Sequence, residues 1–431
     1  MPLRTGPAGG ENMPDRTVNI GLSLGADICW PICYETLFEQ LNLDLKLGSD
    51  RLKFHCERVT IEPFNLRQPV KYDLVIDRLT HWNAISREWI KKAILLDDLY
   101  VYNNPWSIQA NEKHTSYCAM IRLGLPIPDT WMLPARSYAQ ADDLEATLRQ
   151  YARMFSLDEI GNKVGYPFFL KPYHGGGWKG VVKVDDLAGF QKAYDESGVD
   201  LMNAQAAVLP YDWFVRCVGL GPQLRKVNYD PGAALHDRYR MDTGFLSAED
   251  QSVLEDMTLT INAFFGWDFN SCEALKSNGV WHPIDFANPC PDSQVTALHY
   301  HFPWLIKANL RWSIFCAATD RVMQRHMGWA PFYEIADRDD LTPREKLSAY
   351  AALAHERFET EKFRDFCRQH LGHLDELAYE YFGSPIMRDA IHQKVASLFP
   401  PHEIEEYTEF FWERVQRWRA QEGVHGDQDG F

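Results

Sequence analysis

Three stretches of this chain hold residues whose types and spacing suit phosphate and metal chemistry. The first is Phe169-Leu-Lys171-Pro-Tyr-His-Gly175-Gly176-Gly177-Trp-Lys-Gly180, where a lysine ends an apolar run and three glycines follow. Glycine lets the backbone approach a ligand and turn successive N–H groups inward, which makes an anion nest beside the lysine charge. The spacing is neither the P-loop nor GxGxxG opening a helix. The same pattern also describes a hairpin with permissive glycines and a snorkelling lysine. The second stretch is Glu273 followed, twelve residues on, by Asp285-Phe-Ala-Asn288. Two carboxylates and an amide form an all-oxygen set of the kind Mg²⁺ takes, with water and phosphate completing its shell. Two surface acids and a turn Asn before proline fit the pattern as well. The third is Gln205-Ala206-Ala207-Val208-Leu-Pro-Tyr-Asp212-Trp-Phe-Val-Arg216. An apolar linker can offer backbone groups to adenine, the acid can hold ribose hydroxyls, and the arginine can stabilise phosphate charge.

Elements that could position these groups are visible around them. Val18 to Leu24 and Tyr72 to Asp77 read as strands, Cys33 to Leu43 and Trp89 to Leu95 as helices, and Tyr100 to Pro105 as a short strand and turn. Strands alternating with helices predict a small parallel α/β lobe over 17–105. From 106 to 204 the pattern predicts an α+β lobe. It has helices over Ser107–Leu123, Ser137–Met154 and Asp186–Ser197, and a hairpin of Gly165–Lys171 with Val181–Val184. From 205 to 330, Phe214–Val218, Leu224–Tyr229, Ser271–Leu275 and Val280–Phe286 predict an antiparallel sheet with a helix over Ala248–Phe265. The segment 331–431 reads as a helical extension, opened by the capping-box spacing Thr342-Pro-Arg-Glu345. Ile404, Tyr407, Phe411, Val415 and Trp418 form one apolar stripe, suited to a structural cap or a homodimer surface. Residues 1–16, rich in Gly, Pro and charge, read as a disordered leader.

Composition narrows the partners. With 45% apolar residues, a chain of 431 can bury a large core in several subdomains. A net charge of −16 disfavours nucleic acid. No apolar run is long enough to span a membrane, and the stretch 18–38 lacks the flanks of a signal peptide. Nine cysteines without repeated metal spacing predict reduced, mostly buried thiols, as in a cytoplasmic protein.

In this order the three stretches resemble the ATP-grasp superfamily over roughly 17–325. Asn111-Glu-Lys113-His-Thr-Ser and Gly124-Leu-Pro-Ile-Pro-Asp-Thr130 are similar to the family's first-lysine helix and following turn. Val164-Gly-Tyr-Pro-Phe-Phe-Leu-Lys171-Pro matches its second-lysine strand, and Asp212 to Arg216 resembles the RimK-like and glutathione-synthetase-like branches. Phe286-Ala-Asn-Pro-Cys-Pro-Asp292 resembles a poorly described branch. The implied fold is a pre-ATP-grasp α/β lobe, two α+β lobes sandwiching ATP, and a helical extension. The resemblance implies that Lys113 and Lys171 contact ATP phosphates and Gly175–Gly177 form a lid. Gln205 with Ala206, Ala207 and Val208 would line the adenine pocket, Asp212 would take the ribose, and Glu273, Asp285 and Asn288 would bind Mg²⁺. The family usually has Glu-x-Asn at the last metal position, whereas this chain has Asp285-x-x-Asn288. One extra residue turns a strand side chain to the other face unless a bulge absorbs it. Several relatives also carry arginine where this chain has Ser271, a charge that Arg216, Arg238 or Arg240 could replace.

The implied activity is ATP-dependent carboxylate–amine ligation through an acyl-phosphate, on an amino acid or small peptide, with Lys171 and Arg216 as charge-stabilising groups. The rivals are phosphoryl transfer to a hydroxyl and regulatory ATP binding without turnover. His174, in the glycine loop, is read as a loop residue. His282, His299 and His301 are candidates for an acceptor pocket.

Overall fold

The computed structural model describes residues 15–110, 112–173 and 178–423. The leader expected over 1–16 lies outside the described residues except for 15 and 16, which open the first strand. The chain divides into two compact units. One comprises 1–102, 292–324 and 360–431; the other comprises 103–291 and 325–359.

In the first unit, strands β1 (Asp15–Ser23), β2 (Asp44–Leu47), β3 (Asp50–Arg58), β4 (Leu74–Asp77) and β5 (Tyr100–Val101) form one sheet in the order β2-β3-β1-β4-β5. The pairs β1/β3, β1/β4 and β4/β5 are parallel, and β2/β3 is an antiparallel hairpin. The parallel α/β lobe is therefore present, enlarged by β2 and β3. Those two strands alternate polar and apolar residues on a sheet margin, so they carry no run of apolar residues to mark them. All seventeen residues of the helix Phe302–Ala318 are buried. A helix buried on every side is a core helix, and its two charges, Lys307 and Arg311, are paired with Asp375 at 3.0 and 2.7 Å. Among the described residues no helix is long and apolar enough to cross a membrane. The C-terminal helices Thr360–His370, Leu374–Phe382, Pro385–Ala396 and Ile404–Gln421 also belong to this unit. Phe411, Val415 and Trp418 of the expected stripe are fully buried in the single chain, with Trp418 edge-on to Phe382 at 5.6 Å. That part of the stripe is consumed by packing within the unit.

The second unit holds two antiparallel sheets. Strands β6 (Thr130–Leu133), β7 (Phe168–Pro172), β8 (Val182–Val184) and β9 (Met202–Ala206) are ordered β6-β9-β7-β8. Successive side chains of a strand point to opposite faces. Leu133, Phe168, Leu170, Val184, Met202 and Ala204 pack on one face against Ile160, Val164 and Phe190 from the helices Leu157–Val164 and Leu187–Glu196. That leaves the other face to Thr130, Phe169, Lys171, Asn203 and Gln205. Strands β10 (Trp213–Leu220), β11 (Gln223–Asn228), β12 (Phe269–Ser277) and β13 (Val280–Asp285) form the second sheet, ordered β11-β10-β12-β13. The helix Ala248–Phe265, buried over Met257 to Phe265, backs it. Asp250 in that helix accepts from Lys276 Nζ at 2.6 Å and from Trp281 Nε1 at 2.8 Å.

Two helices differ from expectation. The helix expected over Ser107–Leu123 is two helices, Pro105–Ala110 and Lys113–Arg122, because Glu112 is extended at ψ 171°. Of the helix expected over Ser137–Met154 only Leu144–Tyr151 forms. Asp143 precedes it at φ 63°, a left-handed conformation no helix interior holds. A further helix, Leu157–Val164, starts where Ser156 accepts from the Glu159 N–H at 3.2 Å.

Gly219 in β10 faces the backing helix, where an added Cβ would lie 2.4 Å from Asn262 Nδ2 and 3.1 Å from Leu224. Gly219→Ala is expected to destabilise the protein by about 1–3 kcal/mol through overpacking. Urea unfolding checks this as a lower midpoint with unchanged slope.

Candidate functional site

The polar faces of the two sheets in the second unit meet at one place, and five charged side chains converge there. Lys171 is the penultimate residue of β7, in register with Asn203 on β9. Its Nζ donates to Gln205 Oε1 at 2.8 Å and to the Ile284 carbonyl at 3.3 Å. The Gln205 amide in turn donates to Thr130 Oγ1 at 3.0 Å, so both ends of that side chain are engaged. Lys113 begins the helix Lys113–Arg122, and its backbone N–H donates to the Tyr173 carbonyl at 3.3 Å. Its Nζ reaches Asp285 Oδ2 at 2.7 Å. The break at Glu112 therefore places this lysine at a helix start beside the end of β7.

Asp285 reaches the site through a bulge. Glu273 pairs with Asp285, yet Ala274 pairs with Pro283, so Ile284 is an extra residue in β13. If the register of Ala274 with Pro283 ran on unbroken, Asp285 would pair with Cys272 and point to the back of the sheet. The bulge frees the Ile284 carbonyl, which accepts from Lys171 and also from the Tyr117 hydroxyl at 2.8 Å. The bulge lies before Asp285 and sets its face; it leaves the spacing Asp285-x-x-Asn288 unchanged. Asn288 lies past the end of β13, where strand alternation does not govern it. Its backbone N–H donates to Asn270 Oδ1 at 2.9 Å, and its side-chain amide donates to the Ser271 carbonyl at 3.2 Å, with Asp285 Oδ1 at 3.5 Å. Glu273, Asp285 and Asn288 are brought together.

Arg216 on β10 pairs in register with Glu273 and forms a close ion pair with it. It also donates to the Tyr239 hydroxyl and lies against the rings of Tyr229 and Tyr239, at 4.9 and 5.5 Å from their centroids. Arg240 is tied to Asp230, and Arg238 donates to the Ala233 carbonyl at 3.2 Å. Of the three arginines considered in place of Ser271, Arg216 is the one beside the carboxylates.

The remaining expected residues are placed as follows. Ala206 and Ala207 donate their N–H groups to the Asp129 and Pro167 carbonyls, at 2.8 and 3.4 Å. Those two N–H groups are therefore engaged within the protein. Val208 is half-buried, and Asp212 is exposed at the entry to β10. His174 and Gly175–Gly177 lie outside the described residues. His282 donates from Nδ1 to the Pro126 carbonyl at 2.9 Å, and His299 and His301 are buried in the first unit.

Tyr117, Thr130, Asn203, Tyr229 and Tyr239 were not singled out as site residues from the sequence. For Asn203 a signal existed. Asn203 and Gln205 are two polar residues at period two in Met202–Ala206, a strand whose other members are apolar. Asn203 is fully buried, yet neither its Oδ1 nor its Nδ2 has a hydrogen-bond partner among the described residues. Such an orphan costs about 1–3 kcal/mol per group.

Burial and charge set the protonation states. Burial brings the Lys171 ammonium down to about 8; the like charge of Lys113 adds to this, and Asp285 and Glu273 oppose it. Burial pushes the Asp285 carboxyl up, but Lys113, Lys171 and Arg216 outweigh it and hold Asp285 below the usual range. Burial and the Asp285 charge raise the Tyr117 phenol.

Among the described residues no group of three or more His, Cys, Asp or Glu is placed to hold an ion. The oxygen set at hand is two carboxylates in cross-strand register and one amide. That set suits Mg²⁺ if phosphate and water oxygens complete the shell.

No family profile matches the chain, and neither does any curated protein. Solved structures do match. A RimK-domain ATP-grasp protein from Sphaerobacter thermophilus DSM 20745 is 13% identical, with TM-score 0.43, covering 64% of this chain and 92% of its own. A D-alanine–D-alanine ligase from Bacillus anthracis, complexed with ATP, is 12% identical, with TM-score 0.43 and coverage of 80% and 99%. A D-alanyl-alanine synthetase A from Vibrio cholerae O1 biovar eltor is 13% identical, with TM-score 0.47 and coverage of 70% and 98%. What the site can do follows from its own atoms.

The Lys171 ammonium titrates near 8 when folded, below its ordinary 10.5, so the unfolded chain holds that proton more tightly between these values. Stability then rises with pH across that window. Lys171→Met has no such proton and is expected to lack that part of the rise. Urea unfolding of both proteins at several pH values checks this; equal slopes would contradict it.

Proposed function

We propose that the second unit binds Mg-ATP between its two sheets and uses it to activate a substrate carboxylate for attack by an amine. One observation carries this reading. Lys113 and Lys171 enter a shared space from one side, and Glu273 and Asp285 enter it from the other. Cations opposite hard oxygen ligands suit a phosphate chain with a bridging divalent ion. Glu273, Asp285 and Asn288 would hold the ion, which when bound draws charge off the phosphates.

The chain's own residues then act by position and charge. Lys113 and Lys171 neutralise phosphate oxygens. Val208 offers backbone to the base, and Asp212 holds the ribose hydroxyls. A substrate carboxylate oxygen attacks the γ-phosphorus, and the bond to the bridging oxygen breaks to release ADP. An amine then attacks the acyl carbon, loses a proton, and expels inorganic phosphate. Arg216 stabilises the negative charge that develops on the acyl-phosphate. No protein nucleophile is needed, because catalysis rests on orientation and charge. The substrates are small molecules, an amino acid or small peptide being the class the sequence resemblance suggests.

Calorimetric titration with Mg-ATP tests this on wild type, Lys171→Ala and Asp285→Asn. Each substitution is expected to weaken binding about tenfold or more, the scale of a lost charge-assisted contact. No wild-type binding at about 1 mM ATP would refute the reading. ADP release that requires an amine together with a carboxylate supports ligation. A requirement for a hydroxyl acceptor would indicate a kinase, and binding without turnover a regulatory module.

A further inference from the structure

On the site face of the first sheet of the second unit, one polar side chain is spent differently from its neighbours. Lys171 donates to Gln205 and the Ile284 carbonyl, and Gln205 uses both ends of its amide. Asn203 lies on the same face, in register with Lys171 on β7 and Met132 on β6. It is 0% exposed, and both of its side-chain polar atoms are without partners among the described residues. A buried carboxamide with nothing to bond is destabilising where it stands, and such groups in a native protein call for an explanation.

We propose that Asn203 is a binding residue for the phosphate chain of the nucleotide. Its Nδ2 donates to a phosphate oxygen, and its Oδ1 accepts from a lysine ammonium drawn to the same phosphate. This rests on the reading of the site as an Mg-ATP site and adds a residue to it. Two observations place Asn203 at the phosphates and away from the base. Along β9 it lies on the lysine side: it faces Lys171, and the next residues of β7 lead to Tyr173, whose carbonyl accepts from the Lys113 backbone. The linker offered to the base begins at the opposite end of β9, at Ala206. The chemistry also fits. Phosphate oxygens only accept and ammonium groups only donate, whereas an amide does both, so Asn203 satisfies each from one side chain.

Asn203→Leu keeps the size of the side chain and removes both polar atoms. Thermal unfolding of the nucleotide-free protein is read beside affinities for Mg-ATP and adenosine. The expected result has opposite signs: the midpoint stays or rises, while Mg-ATP affinity falls about tenfold and adenosine affinity is unchanged. A lowered midpoint with Mg-ATP affinity retained would make Asn203 a structural residue and overturn the proposal. An equal loss for adenosine would overturn it in favour of a base contact. Asn203→Asp provides a second readout, since it keeps the acceptor and adds a charge that repels phosphate; it is expected to weaken Mg-ATP and spare adenosine. Wild type that binds no Mg-ATP would remove the underlying reading, an outcome distinct from a variant that binds like wild type.

Discussion

Three cations and two carboxylates share a buried space in the second unit, and much of that unit's local structure follows from holding them there. Lys113, Lys171, Glu273 and Arg216 are largely removed from water, and Asp285 completes the set. Isolated charges in such a place would neutralise or destabilise the fold, so each must be matched at short range. The matches draw on separate parts of the chain: a helix start, a strand end, a cross-strand pair and a bulged strand. The Ile284 bulge is the hinge of the arrangement. It turns Asp285 toward Lys113 and releases a carbonyl to Lys171 and Tyr117 at the same point.

The same balance explains how the site can respond to a ligand. Each lysine is paired with an oxygen of the protein, and each carboxylate with a cation of the protein. A phosphate chain carrying a divalent ion offers both partners in exchange: oxygens for the lysines and a metal for the acids. Such an exchange loses little charge matching, so a buried site can hold a highly charged ligand without an isolated charge in either state. The Lys171 proton, held less tightly than usual, belongs to this balance.

Much of this was legible in the sequence, for reasons that differ by element. The strands β10 to β13 and the helix Ala248–Phe265 announce themselves as short apolar runs and one long amphipathic segment. Lys171 and Asp285 stand out as charges at the ends of such runs. Other features are properties of pairing, which no local pattern records. The bulge is set by how β12 and β13 register, and the spacing of Asp285 and Asn288 does not record it. The strands β2 and β3 are half polar, and Met202–Ala206 is short, so both escaped a reading that relies on apolar runs. The break before Lys113 depends on the backbone of one residue, Glu112, whose side chain is an ordinary helix former.

The central claim is that the two polar sheet faces of the second unit close on the phosphates of ATP. A crystal structure with Mg²⁺ and a non-hydrolysable ATP analogue tests it most directly. The account predicts phosphate oxygens within hydrogen-bonding distance of Lys113 and Lys171. It also predicts a cation on Glu273 and Asp285, and Asp285 released from Lys113. A nucleotide bound elsewhere, or bound while the Lys113–Asp285 and Arg216–Glu273 pairs stay closed with no cation between them, would contradict it.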